Sequence, residues 1–317
     1  MPLPSKRANG LKQSLHKTVI VIAGPTAVGK TAVAINVAKH YHTEIISADS
    51  RQCYKEMNIG VARPSIEELS TIPHHFIASH SIHEEVTAVT FEQYALQKAT
   101  ELFRQHDTVV MTGGTGLYIR AFCEGLDNIP AIDPAIRERI LLAYDEYGME
   151  WLQSSLVEKD PLFAGKGEMQ NPQRMMRALE VIEGTGQSIL HFQKGGKQKR
   201  VFNIIKTGLE LPRAVLVERI DQRVEQMIEH GLVEEVKRLL PYRNLNALQT
   251  VGYAELFDYL DGNLSLGQAI EKIKIATRQY AKRQMTWFKK DEEITWFSPT
   301  GLTALLQYTD GAMTINN

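Results

Sequence analysis

The sequence predicts an α/β fold: a parallel sheet core around a phosphate-binding glycine loop, an inserted helical domain, and basic helices toward the C-terminus. Three observations carry that expectation. An apolar run, Thr18 to Ala23, enters Gly24-Pro25-Thr26-Ala27-Val28-Gly29-Lys30-Thr31, and a second apolar run, Ala32 to Ala38, follows. Further buried-strand patterns recur at Glu44 to Ala48, Thr108 to Met111 and Val201 to Gly208, with an amphipathic helix predicted over Phe91 to Arg104. From about Asp127 to Arg200 the strand pattern stops. Asp133-Pro134, Asp160-Pro161 and Asn171-Pro172 are instead three helix starts, a capping side chain before a proline suited to the first helical position.

The glycine loop follows the G-x-x-x-x-G-K-[ST] pattern in its strand-to-helix context. Small residues let backbone N–H groups converge on an anion, and the helix N-terminus adds partial positive charge. Lys30 is then placed to neutralise a diphosphate, and the Thr31 hydroxyl to ligate a Mg²⁺ bridging it. Gly24, Pro25, Thr26, Ala27, Val28 and Gly29 complete the expected diphosphate cradle.

Composition sets the outer bounds. The chain has 317 residues, 43% of them apolar, enough for a sizeable core. No apolar run approaches the roughly 20 residues of a membrane span, and the polar start, Met1 to Lys17, lacks a signal-peptide core. The two cysteines, Cys53 and Cys123, have no CxxC spacing, which excludes a cysteine-rich zinc module and fits a reducing compartment. A cytoplasmic protein is expected. Net charge is −1, unlike a strongly basic nucleic-acid domain, but no acidic residue precedes Glu44. The expected organisation is a basic tail over 1–17, core over 18–126, helical insertion over 127–200, core with basic helices over 201–298, and a short terminal segment over 299–317.

Asp49 follows the second strand, in the sequence Asp49-Ser50-Arg51-Gln52. Ligands gather at the carboxyl ends of parallel strands, so a catalytic role and an ordinary turn cap are both open. The strand from Thr108 runs straight into Thr112-Gly113-Gly114-Thr115-Gly116, with no carboxylate to hold magnesium and poise water for hydrolysis. An ATPase or motor is thereby disfavoured.

Cations complete the reading. Arg174 and Arg177 share a face near a helix start; Glu180 can pair with Arg177, whereas Arg174 has no acid three or four residues away. In the helix predicted over Pro212 to His230, Arg219 and Arg223 are four apart and equally without a helical partner. Over Ile270 to Lys290, Lys274, Arg278 and Lys282 form a stripe with Glu271 as close relief, interleaved with Tyr280, Trp287 and Phe288. Solvated surface charge and phosphate contact both account for these stripes, and core packing accounts for the aromatics better than base stacking.

These segments together resemble one family, the tRNA dimethylallyltransferases, also called tRNA isopentenyltransferases. The matching blocks are GPTAVGKT at 24–31, ADSRQCYKEMNIGVARP at 48–64, TGGTGLY at 112–118, NPQRMMRALEV at 171–181, QTVGYAEL at 249–256 and TRQYAKRQMTWF at 277–288, in family order. The resemblance implies a P-loop NTPase-like core whose loop holds dimethylallyl diphosphate rather than ATP, with Mg²⁺ on Thr31. It implies transfer of the dimethylallyl group to N6 of the adenosine 3′ of the anticodon, with Asp49 as base and Thr26 and Arg223 at the reacting centre. By family position Asp49, Ser50, Arg51, Gln52, Thr115, Arg137, Gln173, Arg174, Met175, Met176 and Arg177 touch the tRNA anticodon arm. So do Gln249, Thr250, Val251, Gly252 and Tyr253. The C-terminal Cys/His zinc finger of many eukaryotic members is missing, so a bacterial-type short form, monomeric and without membrane attachment, is implied. The competing readings are a P-loop kinase of a small metabolite, a non-catalytic RNA-binding module, and a prenyltransferase of free adenine nucleotides.

Overall fold

β1 (Thr18–Ala23) is buried at every position, because both of its faces are covered. Val19, Val21 and Ala23 join a cluster with Phe91 and Ala95, while Ile20 and Ile22 pack with Val33, Ala34 and Val37. That two-sided burial is why the strand reads as a continuous apolar run rather than an alternating one. The computed structural model describes residues 17–193 and 195–315, so the expected basic tail, apart from Lys17, lies outside the described residues.

The elements of the core are α1 (Lys30–His40), β2 (Ile45–Ser47), α2 (Ile66–Thr71), β3 (His74–His75), α3 (Ala88–Leu102), β4 (Thr108–Gly113) and α4 (Gly116–Glu124). The second half adds β5 (Asn203–Leu209), α9 (Arg213–Glu229), α10 (Leu232–Leu239), α11 (Tyr253–Leu260), α12 (Leu266–Phe288), β6 (Thr295–Phe297) and α13 (Leu302–Ile315). All pairings are parallel, in the order β3-β2-β4-β1-β5-β6. β1 pairs with β4 as far as Ala23↔Gly113 and with β5 as far as Ala23↔Gly208; β2 pairs with β4 as far as Ser47↔Thr112. The strands therefore end level with one another. The glycine loop, the Asp49 turn and the second glycine run issue from one edge of the sheet.

The insertion is a separate unit, Glu124–Gln198. It comprises α5 (Pro134–Lys159, interrupted at Gly148 with φ 69°), α6 (Pro161–Lys166), α7 (Pro172–Thr185) and α8 (Ile189–Phe192). Asp133, Asp160 and Asn171 cap three of these helices ahead of their prolines, as the sequence predicts. Its core joins Leu152, Leu156, Phe163, Met175 and Leu179.

The organisation differs in detail from the expected one. The insertion runs over Glu124–Gln198 rather than 127–200. β3 and β6, of two and three residues, were too short to carry a periodicity. The terminal segment expected over 299–317 contains the helix α13: Leu305 is buried with Val33 and Val37, and the Tyr41 hydroxyl donates to Asp310.

One carboxylate holds a wall of the core together. Glu235, 2% exposed, accepts N–H groups from Asn58 (3.2 Å), Ile59 (2.8 Å) and Gly60 (3.1 Å), and the Tyr253 hydroxyl at 2.6 Å. Burial, with Glu235 next, pushes the Tyr253 phenol upward, so it donates and stays neutral. Glu235→Ala removes the shared acceptor of four donors, the buried Tyr253 hydroxyl among them, and is expected to cost about 3 kcal/mol, whereas Glu235→Gln keeps an acceptor oxygen and costs less. Urea unfolding of the two variants beside the parent checks this order.

Candidate active site

A glycine loop binds anions only if its backbone is held open. Here Gly29, at φ 103°, caps α1 and turns the chain into the helix. Lys30 folds back over the loop, its Nζ donating to Gly24 O at 2.9 Å and Pro25 O at 2.7 Å. Burial pulls its pKa from 10.5 down to about 7, with Asp49 opposing that shift and Arg223 adding to it. Lys30 and Thr31 line a cavity of about 840 Å³, whose wall also includes Thr26, Asp49, Arg223 and Gln284.

The two α9 arginines without helical partners face this loop. Arg223 Nη1 donates to Thr26 Oγ1 at 3.2 Å, and Arg219 Nη1 to Val28 O at 3.3 Å. Burial lowers the Arg223 pKa, and Asp49 counters it. Because Thr26 Oγ1 accepts from Arg223, its own proton is left to donate elsewhere.

Asp49 is the turn cap of one of its sequence readings, and it also faces the cavity. Its Oδ1 caps the turn, accepting from Arg51 N (2.9 Å) and Gln52 N (3.2 Å); Oδ2 has no hydrogen bond among the described residues, and the residue lines the cavity. The second glycine run supports this turn by close approach. A Cβ on Gly113 would lie 2.1 Å from Ala48 O, and Thr115 Oγ1 accepts from Ser50 N at 3.0 Å. Tyr280 and Arg283 of α12 line the same cavity, the Arg283 guanidinium carbon 5.8 Å from the Tyr280 ring centroid. Sequence reasoning assigned neither to the site, since an aromatic at helical spacing reads as core.

The expected tRNA contacts divide into groups. Asp49, Ser50, Arg51 and Gln52 reach the cavity, as do Gln249, Thr250, Val251 and Gly252. Arg51 is committed internally: it donates to the carbonyls of Asn246 (2.9 Å) and Ala247 (3.2 Å), stapling its turn to the loop before Gln249. Tyr253, 0% exposed, is core rather than contact surface. Met175 and Met176 are likewise core, within the insertion. Gln173 is exposed, whereas Arg137 and Arg177 both pair with Glu180, at 3.2 and 2.6 Å.

The basic stripes are also corrected. Arg174 pairs with Glu168, six residues back and beyond helical reach. Lys274 bonds Glu225 and Glu271, and Arg278 bonds Asp221, so acids on the neighbouring α9 neutralise most of the α12 stripe. Partners supplied by another segment are invisible to spacing within one helix.

The fold and site together define an enzyme that works on a phosphate-bearing donor, with a carboxylate beside its anion loop. A family model described as IPP transferase matches residues 52–291. The tRNA dimethylallyltransferase of Cytophaga hutchinsonii is 44% identical over 94% of this chain and 98% of its own, and that of Christiangramia forsetii 48% identical over 88% and 92%. The crystal structure of the full-length tRNA isopentenylpyrophosphate transferase from Bacillus halodurans is 34% identical, with a TM-score of 0.70 over 95% of this chain and 98% of that one. A eukaryotic dimethylallyltransferase solved acting on tRNA is 28% identical, with a TM-score of 0.74 over 90% of this chain and 75% of that one. The chain belongs to the IPP transferase family.

Lys30 gives a pH prediction. An amine at about 7 is half neutral near neutrality, and an arriving diphosphate restores its charge, so binding takes up a proton. Affinity for inorganic pyrophosphate should therefore fall as pH rises through 7, more steeply than in Lys30→Arg, whose guanidinium stays charged. Calorimetry in buffers of different ionisation heat reads the proton directly. The lowered pKa has the opposite sign for folding: Lys30 contributes a rise in stability from about pH 7 toward the unfolded value of 10.5.

Proposed function

We propose that this chain transfers a dimethylallyl group from dimethylallyl diphosphate to N6 of the adenosine 3′-adjacent to the anticodon, tRNA position 37. The observation that carries the reading is one cavity lined by both the anion loop and the Asp49 carboxylate. The tRNA dimethylallyltransferase names of the relatives give the donor and acceptor class.

The chemistry sorts the residues. The exocyclic amine is a weak nucleophile, its lone pair delocalised into the ring, and gains from orientation and a proton acceptor within hydrogen-bond reach. The N6–C1 bond forms as the allylic C1–O bond breaks. The electron pair of that bond leaves with diphosphate, and the N6 proton passes to Asp49. Lys30, Arg223 and the free proton of Thr26 answer the charge that grows on the leaving oxygen. The Thr31 hydroxyl, a hard oxygen ligand in the cavity wall, would help hold Mg²⁺, which would supply further neutralisation of the leaving group. To meet Asp49 the adenine leaves its stack, as single-stranded loops permit. The insertion is read as the grip on the anticodon arm.

No helix among the described residues is long and apolar enough to cross a membrane. The proposed reading includes a cytoplasmic, monomeric enzyme. Incubation with labelled dimethylallyl diphosphate, Mg²⁺ and unmodified tRNA, followed by nucleoside mass analysis, should give dimethylallyladenosine only where the anticodon loop carries the target adenosine. Removal of Mg²⁺ with EDTA should stop transfer, and its return should restore it. Asp49→Ala should abolish transfer while tRNA affinity stays within several-fold, separating a base from a binding contact. ATP turnover without RNA would instead favour a kinase.

A further inference from the structure

Gln284 is 6% exposed on α12, and both ends of its amide are used. Its Oε1 accepts the Thr26 N–H at 2.8 Å, and its Nε2 donates to Gly114 O at 2.9 Å. A Cβ on Gly114 would lie 2.3 Å from that Nε2, so the glycine run is cut to admit this side chain. The amide thus ties the anion loop to the run that supports the Asp49 turn. Thr26 is held twice, at its N–H by Gln284 and at its Oγ1 by Arg223.

We propose that Gln284 is a positioning residue for the transfer reaction: it fixes the Thr26 hydroxyl against the donor diphosphate and sets the distance between the anion loop and the Asp49 turn. The proposal deepens the prenyl-transfer reading and rests on it. A side chain that only filled space would be replaceable by any neutral residue of its size. One that positions through both hydrogen bonds needs an acceptor and a donor at once. Displacement of a reacting group by about 1 Å can cost on the order of 100-fold in rate.

Three forms of the full-length enzyme separate these cases: the parent, Gln284→Leu and Gln284→Glu. Leucine keeps the approximate volume and makes neither bond. Glutamate makes both bonds only when protonated; ionised, it presents an oxygen lone pair to Gly114 O and adds a negative charge near the donor. We expect Gln284→Leu to lower kcat/KM for dimethylallyl diphosphate by about 10- to 100-fold, with tRNA affinity within twofold and no pH dependence of the loss relative to the parent. For Gln284→Glu the loss relative to the parent should shrink as pH falls, until the protonated form exceeds Gln284→Leu.

Parent-like activity in Gln284→Leu would overturn the proposal. So would a loss that tracks only the unfolded fraction, measured by thermal denaturation at the assay temperature. A Gln284→Glu variant that never exceeds Gln284→Leu at its lowest working pH would do so as well. If the parent itself does not transfer the prenyl group, the functional reading fails before this one is reached.

Discussion

A loop that grips anions through its own N–H groups has to be fixed by something else. In this chain the fixing atoms lie at its edges. Arg223 holds the Thr26 hydroxyl, Arg219 holds the Val28 carbonyl, and Lys30 holds the carbonyls of Gly24 and Pro25. Two of those anchors come from α9, almost 200 positions downstream, so the cradle is complete only when the second half of the core has closed on the first. The aligned ends of β1, β2 and β4 do the rest, bringing the Asp49 turn beside the loop with no long connection.

Much of this was legible in the sequence because it depends on local physics. β1 was predicted to its ends, since two-sided burial writes itself as an apolar run. The capping residues Asp133, Asp160 and Asn171 announced their helices, and the pair Arg219 and Arg223 pointed to a target outside its helix through the lack of helical acids. The same arithmetic failed for Arg174 and Arg278, whose partners Glu168 and Asp221 lie outside their own helix or helical reach, and for Lys274 it showed Glu271 but not Glu225. What spacing detects is the absence of a local partner. It cannot tell a distant carboxylate from a bound phosphate.

The buried members of the family-matched blocks teach a related point. Met175, Met176 and Tyr253 lie in segments that resemble tRNA-contacting motifs, yet their side chains are core. A motif is a stretch of chain, and a helix turns one side of that stretch inward. Tyr253 serves the cavity indirectly, through Glu235, which gathers the N–H groups of Asn58 to Gly60 and so fixes the strap that runs on to Val61 and Ala62 in the cavity wall. Gln52 braces the same strap from inside, its Nε2 donating to Val61 O and Ala62 O.

The folded-back lysine has a consequence for turnover. In the proposed reaction pyrophosphate is a product, and an enzyme that stabilises its formation risks keeping it. When a bound diphosphate goes, the Lys30 ammonium would not face an empty hollow, because the Gly24 and Pro25 carbonyls accept its hydrogen bonds. Departure is then an exchange of one set of acceptors for another, and shedding a proton from an amine poised at about 7 weakens the hold still more. In the proposed reaction, the catch on the donor would carry its own means of letting go.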